Sequence, residues 1–526
     1  MSSRSSDALF QLVKSLEKSE KRNFKLFVQR NSSVTNLKTI QLFDALDKMN
    51  EYDEKQLIKK YKAIKKEQLS NIKASLYKQI LSSLRIISED DNIDIQLNEQ
   101  MANARILFNK GLYLQSLKAL DKMKETARSY NQSTYLQQAL FFEKKIESLF
   151  ITRSLQNRAE KLSSESDEVN DQLLLISRLS NLSLQLYGWY IKHGHARNEK
   201  DIQELQSFFE KNIPPGAQEA KGFYEKLYLT QSYCWHASIR QDFLQCYRYS
   251  KKWVDLFEEF PEMLNVETVA YIKGMHNLLG AYFDLLNHEK LKKAIKQFED
   301  FAHRDIVEKN ENNRILTYVY LYTARINLYF LQGTFTKGLR LVPFLEEMLK
   351  KYGLFLDTHR VLVFYYKIAC LYFGSGNNEK AIEYLNKIIN QKGDLRTDLQ
   401  CYSRLLHLIA HYELGNFELL EYLIKSVYRY MAKMENLSKV EEEMFAFLRR
   451  SFHVGAHALK PEFEKLLAKL KEYEGNPLES RAFAYLDVIS WLESKINNVN
   501  VQDVIREKFL GGRKTRTLKL RKIHSK

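Results

Sequence analysis

Apolar residues recur at spacings of three and four along most of this chain, and that spacing marks one face of an α-helix. In the first 88 residues the pattern predicts four or five short helices. The last of them has an apolar stripe formed by Leu69, Ile72, Leu76, Ile80, Leu84 and Ile87. A polar run at 88–92 then interrupts the pattern, as a loop does. The sequence therefore predicts a helical bundle over residues 1–88 and a separate helical region over residues 95–510.

Within the second region, one arrangement of small, glycine and large apolar residues recurs. Its clearest copy consists of Ala369, Tyr372, Gly376, Ala381, Leu385 and Ile388. The same offsets return around Gly333 and Gly415, and an earlier copy surrounds Gly111. Small residues let two helices approach closely, and glycine tolerates the left-handed backbone of a tight turn. The pattern predicts antiparallel helix pairs joined by short turns.

These offsets resemble those of the tetratricopeptide repeat (TPR), most clearly over residues 316–430. The resemblance implies an all-α fold in which residues 95–510 form a TPR-like array of helical hairpins, an α-solenoid. The sequence departs from the family because Gly333, Gly376 and Gly415 are 43 and 39 residues apart, rather than about 34. The proline that often ends a unit is also missing. A generic all-helical bundle with chance matches is the alternative.

The amino-acid composition favours a helical fold, and the sequence also indicates the cellular compartment. Only 18 Gly and 6 Pro among 526 residues leave few turn residues for a β-rich fold. The N-terminus has no apolar segment of the kind that a secretory signal needs, and no run of about 18 uncharged apolar residues could cross a membrane. The cysteines form no CxxC pair and fall within apolar helical patterns, which predicts buried, reduced thiols. We expect a cytoplasmic protein.

The net charge of +16 is concentrated at the two ends of the chain. The first 88 residues contain 18 Lys and Arg against 9 Asp and Glu, and residues 511–526 contain seven Lys and Arg and no acid. Residues 511–526 follow the helical pattern after two glycines and are predicted to be a basic tail, disordered on its own. Basic ends attract polyanions, although a solvated charged surface is the alternative. The candidate polyanion-binding residues are Lys59, Lys60, Lys62, Lys65, Lys66, Arg513, Lys514, Arg516, Lys519, Arg521 and Lys522.

Motifs for catalysis are missing from the sequence. There is no phosphate-binding GxxxxGK[ST] loop, no GxSxG and no kinase signature. The pairs His407/His411 and His453/His457 have the spacing of metal ligands on one helix face, but neither has the neighbouring glutamate of a zinc protease. We expect no enzymatic activity, no cofactor and no metal.

The resemblance to the tetratricopeptide repeat implies a binding groove lined by the first helix of each hairpin. Aromatic residues dominate that predicted face, and they suit a peptide or a helix of a partner protein. The alternative is that these rings pack against neighbouring hairpins. The candidate groove residues are Tyr320, Asn327, Phe330, Tyr366, Phe373, Tyr402 and Tyr412.

Two functional hypotheses follow from the sequence. The first is a protein–protein interaction scaffold, or adaptor, that captures a partner peptide or helix in this groove. The second is a factor that docks on nucleic acid or the ribosome through its basic N-terminal region and tail. Binding through the groove should resist added salt, whereas docking through the basic ends should weaken steeply with salt.

Overall fold

The computed structural model describes residues 8–30, 34–60, 66–87, 92–149, 157–353, 356–391, 396–434, 437–451, 456–476, 478–479, 483 and 487–524, and within these ranges it leaves out the side chains of 34–37, 60, 66, 456–458 and 513–524. The predicted all-α class is confirmed: every regular element in these ranges is helical and none is a β-strand. The chain divides into two compact units, Met1–Asp167 and Glu168–Lys526.

The first unit begins with the five short helices that the sequence predicts. Helices α1 to α5 enclose a core of their own, in which the buried rings of Phe24 and Phe43 lie 4.7 Å apart between centroids. The predicted boundary falls between α5 and α6, at residues 88–91, which lie outside the described ranges. The helices of this unit are α1 (Ala8–Ser15), α2 (Lys18–Arg30), α3 (Val34–Lys48), α4 (Glu54–Lys60), α5 (Lys66–Ile87), α6 (Ile93–Asn109), α7 (Tyr113–Ser129) and α8 (Ser133–Glu147).

The second unit contains most of the helices and one large continuous core. Its elements are α9 (Arg158–His193, which begins in the first unit), α10 (Glu199–Asn212), α11 (Phe223–Ile239), α12 (Phe243–Glu259), α13 (Met263–Val266), α14 (Thr268–Asp284), α15 (His288–Ala302), α16 (Asp305–Glu308), α17 (Glu311–Gln332), α18 (Phe335–Gly338), α19 (Val342–Tyr352), α20 (Thr358–Gly374), α21 (Asn378–Ile389), α22 (Thr397–Glu413), α23 (Phe417–Lys433), α24 (Lys439–Ser451), α25 (Ala456–Tyr473), α26 (Val488–Asn497) and α27 (Val501–His524).

The turn glycines have the backbone that the sequence pattern requires. Gly333, Gly376 and Gly415 have φ angles of +59°, +87° and +73°, in the left-handed region that favours glycine. Ala369 and Ala381 are both fully buried where α20 packs against α21. Small residues at the two positions therefore allow the close approach of these helices, as the sequence predicts.

Helix α27 lies against α17 at Gly333, where a Cβ atom would collide with the backbone of Arg506 and Gln502. The hydroxyl of Thr336 donates a hydrogen bond to Gln502 Oε1 at 2.9 Å, beside this contact. The helical backbone of α27 continues through Gly511 and Gly512, past the point where the sequence predicts the end of the fold. The disorder of the isolated tail stays a prediction.

Candidate binding cavity

A cavity of about 1330 Å³ opens inside the second unit. Successive helices α14, α17 and α20 pack side by side and form its wall, together with parts of α9 and α11 and one side of α27. The side chains that face it follow helical spacing: Tyr320 and Asn327 are seven residues apart on α17, and Arg360 and Lys367 are seven apart on α20. Helical periodicity thus brings aromatic and basic side chains to one surface.

Hydrogen bonds fix the basic side chains of α20 against α17. Lys367 Nζ donates to Asn327 Oδ1 at 2.5 Å, and Arg360 Nη2 donates to the Tyr320 hydroxyl at 2.9 Å. The Tyr320 ring stacks on His276 of α14, with 4.0 Å between ring centroids. Three helices therefore meet at one polar cluster in the cavity wall.

Lys273 of α14 adds a further cation beside this cluster. Its ammonium group lies 3.7 Å from the ring centroid of Tyr187 and 5.1 Å from that of Trp235. Among the residues that the structure describes, no carboxylate lies within ion-pair distance of Lys273 or Lys367. Their positive charges are stabilised by aromatic faces and by the Asn327 amide instead.

Burial is the main influence on the pKa values of the basic side chains that line the cavity. Burial, and then the charge of Arg360, lower the pKa of Lys273 to about 8. Burial likewise lowers the pKa of Lys367 to about 8. For His276, burial and the charges of Arg360, Lys367, His359 and Lys273 lower the pKa to about 3. Both lysines stay mainly protonated at pH 7, whereas the His276 ring stays neutral.

Carboxylates neutralise only part of this charge. Arg360 pairs with Asp357, and the buried Arg396 pairs with the buried Asp398 at 2.7 Å. Asp284 also lines the cavity; its side chain is exposed there, and it and Lys367 influence each other's charge, so this carboxylate is a counter-charge for the lysine.

The structure brings five of the seven candidate groove residues together. Tyr320, Asn327, Phe330, Tyr366 and Phe373 all line the cavity. Tyr402 lies outside the cavity lining and is only 1% exposed. Tyr412 packs against Phe447 and Trp491, with centroid distances of 6.0 and 6.2 Å. Tyr412 has the same offset from its turn glycine as Phe373, but it does not line the cavity, because Trp491 of α26 covers that end of α22.

The sequence pattern predicts aromatic residues in the groove but not the basic residues that line the cavity. Lys273 and Lys367 each stand inside a strongly apolar helix, as in the run VLVFYYKIACLYF around Lys367. A buried face seldom contains an unpaired lysine, so a single lysine within such a run was the available signal.

The candidate polyanion-binding residues are described only in part. The Lys59 side chain is exposed at the end of α4. Lys62 and Lys65 lie outside the described residues, and for Lys60, Lys66, Arg513, Lys514, Arg516, Lys519, Arg521 and Lys522 the structure describes the helical backbone alone. Their role stays a prediction.

The cysteines carry no disulfide. Cys234, Cys246 and Cys401 are buried as predicted, whereas Cys370 is half-buried; Cys234, Cys246 and Cys370 all line the cavity. No helix among the described residues is long and apolar enough to cross a membrane. In comparisons with known proteins, no family model matches the chain, and no curated protein matches it either.

Proposed function

We propose that this chain is a non-enzymatic interaction scaffold of the cytoplasm that receives a peptide or helix of a partner protein in the cavity of its second unit. The observation that supports this proposal best is the cavity itself. About 1330 Å³ exceeds the volume of most small-molecule sites, and aromatic rings with polar tips line it. Such rings provide apolar contact area together with hydrogen-bonding groups, which suits an extended or helical segment.

The proposal includes the arrangement of helices as a TPR-like array. Consecutive packing of α14, α17, α20 and α22 supports it, as do the left-handed glycines in the turns that follow α17, α20 and α22. In such arrays each hairpin contacts its neighbours and presents one helix to a shared binding surface. Tyr320, Phe330 and Phe373 lie on such helices and face the cavity.

The state of the thiols supports a role in binding rather than in covalent catalysis. Burial raises the pKa of Cys234 to about 11 and that of Cys370 to about 12. A thiolate is the nucleophilic form of cysteine, so these two cavity thiols are held in their unreactive form.

Capture from a lysate of the source cells tests the proposal. We expect the immobilised full chain to retain a defined protein partner at low and at high salt and after nuclease treatment. The variant Phe330→Ala should lose that partner, because it removes an aromatic surface from the cavity wall. Phe344→Ala is the matched control, since Phe344 is 45% exposed and lies outside the cavity lining. Equal retention by both variants would argue against the cavity.

The concentration of charge at the ends supports a second candidate, docking on nucleic acid or the ribosome. In the same capture experiment, this function predicts that the retained nucleic acid or ribosomes are lost at high salt, because binding to phosphates releases counterions. Nuclease treatment should remove them as well. It also predicts loss on removal of residues 513–526 and no effect of Phe330→Ala.

A further inference from the structure

We propose that helix α27 stands in the place of the partner, and that the partner segment is an amphipathic helix that displaces α27 from the side of the cavity. This inference rests on the proposed function, because it names the form of the segment that the cavity receives. It also names a regulation of that site, since α27 limits binding until it leaves.

One face of α27 presents its side chains to the cavity. Val501, Ile505 and Phe509 line the cavity at intervals of four residues, and Lys508 and Gly512 belong to the same face. Residues four apart lie on one side of a helix, one turn after another. This side of the cavity therefore already accepts a helix with apolar side chains at positions i, i+4 and i+8. Helical ligands dock in apolar grooves through anchors of this kind.

The surface beneath α27 fits a helix closely. A Cβ atom on Gly333, at the end of α17, would lie 2.6 Å from the carbonyl oxygen of Gln502 and 2.8 Å from the Cα atom of Arg506. The backbone of α27 thus touches the chain at a point where only glycine leaves room. On the same side, the Phe509 ring lies edge-on to the His288 ring of α15, with 4.8 Å between their centroids. Gly333 and His288 together form the docking surface of α27.

The packing that holds α27 is shallow. Among the α27 side chains that the structure describes, Val504 alone is buried, and the apolar side chains that face the cavity are half-buried. In α22, by contrast, every residue in the range 398–412 except Arg404 is buried. An element with so little buried apolar surface opens at a lower free-energy cost than the core does. Release of α27 is therefore compatible with an intact second unit.

The ion pair of α27 can also be given up without leaving a charge alone. Lys508 Nζ lies 2.7 Å from Glu493 Oε2 of α26. The same carboxylate has a second partner, because Lys471 Nζ of α25 lies 3.1 Å from Glu493 Oε1. Glu493 thus stays paired when α27 leaves, and it remains available to a cation of the incoming helix.

Two glycines weaken α27 without a gain in packing. A Cβ atom on Gly511 or Gly512 would meet no other part of the described structure within 4 Å, so packing requires neither glycine. Glycine within a helix is less favourable than alanine, because it loses more backbone freedom on folding. The two residues therefore favour release of the helix that contains them.

A fluorescent peptide with the sequence of residues 499–512 tests whether the docking surface accepts a helix from outside the chain. In the unchanged chain α27 competes with the peptide, so binding measured by anisotropy should be weak. Ile505→Asp in the full chain puts a charge on the cavity face of α27 and should strengthen peptide binding at least about tenfold. Leu510→Asp is the matched control, because Leu510 is 47% exposed and lies outside the lining, and it should leave the affinity unchanged. A peptide that itself carries Ile505→Asp should bind to none of these chains.

Two glycine variants of the Ile505→Asp chain locate the bound peptide. Gly333→Ala should weaken peptide binding at least about tenfold, because its Cβ atom takes the space of the helix backbone. Gly376→Ala is the matched control. Both glycines have a positive φ, +59° at Gly333 and +87° at Gly376, so alanine is strained at either position. A Cβ atom on Gly376 would meet no other part of the described structure within 4 Å, so this variant should keep the peptide affinity.

Three results would overturn the displacement of α27: equal peptide affinity in the unchanged and Ile505→Asp chains, an equal gain with Leu510→Asp, or an equal effect of the two glycine variants. The fate of the proposed function is separate. A partner protein that is lost on Phe330→Ala while the peptide fails to bind leaves the scaffold standing and removes the role of α27. Peptide binding that requires Gly333, with no such partner, does the reverse.

Discussion

Replacing Trp491 with alanine should lower the free energy of unfolding by about 3–5 kcal/mol, the cost typical of removing a large buried ring. Trp491 is only 1% exposed and lies within 6.4 Å, between ring centroids, of Tyr412, Phe447 and Phe463. Its indole N–H donates to Glu413 Oε1 at 2.7 Å, and Lys495 donates to the other oxygen of that carboxylate at 2.9 Å. The ring thus joins α22, α24, α25 and α26, and alanine would leave a cavity and an unpaired carboxylate oxygen.

Urea unfolding followed by circular dichroism measures this loss. Trp189→Ala provides a matched control, because it is the same substitution at a half-buried position in the same unit. We expect the control to shift the midpoint much less than Trp491→Ala does. A similar shift for the two variants would mean that the aromatic cluster around Trp491 does not hold the end of this unit together.

Lowering the pH from 7 to 5 should also destabilise the protein by several kcal/mol. Burial lowers the pKa of His236, His359 and His407 to about 4 each, and burial with nearby cations lowers that of His276 to about 3. Histidines in the unfolded chain have pKa values near 6.5. Below that pH the unfolded chain therefore binds protons that the folded chain does not bind. Stability is present above about pH 6.5 and is lost as the pH falls toward 4. Each histidine contributes about 2 kcal/mol of this loss by pH 5.

His236 allows a test of the histidine effect away from the cavity lining. Its ring packs on Phe209 with 4.4 Å between centroids, and its Nε2 atom is buried without a hydrogen-bond partner in the described part of the chain. The charged groups that influence it are Arg240, Glu210 and Asp242. His236→Phe should reduce the stability difference between pH 7 and pH 5 by about 2 kcal/mol.

The same substitution at His303 is the control, because that side chain is 71% exposed. For His303→Phe, the difference between the urea midpoints at pH 7 and pH 5 should equal the difference found for the unchanged chain. If His236→Phe and His303→Phe gave the same pH dependence, buried histidines would not account for the acid sensitivity.

The helices and their turns could be predicted because they depend on local chemistry. Apolar residues at spacings of three and four predict α5 and α20, and the positive φ of Gly376 follows from what glycine alone tolerates at a tight turn. The small residues Ala369 and Ala381 likewise identify the close approach of α20 and α21. Each of these features is specified within about 20 neighbouring residues.

The cavity depends on contacts that no local pattern contains. Lys273, Tyr320 and Lys367 are separated by more than 40 residues along the chain, and only the packing of α14, α17 and α20 brings them together. Tyr412 also shows that a local sequence pattern does not determine which residues line the cavity. Its offset from Gly415 equals that of Phe373 from Gly376, yet Trp491, which is distant in sequence, packs on Tyr412 and takes it out of the cavity lining.

The central claim is that a partner segment enters the cavity, and site-specific photocrosslinking tests it most directly. A benzophenone amino acid in place of Phe330 reports on the cavity wall, and the same group in place of Tyr422, which is 71% exposed and outside the lining, reports on the exposed surface of α23. In cells, we predict a defined protein crosslinked from position 330 that persists after nuclease treatment, and no such product from position 422. Equal products from both positions, or none from position 330, would contradict the account.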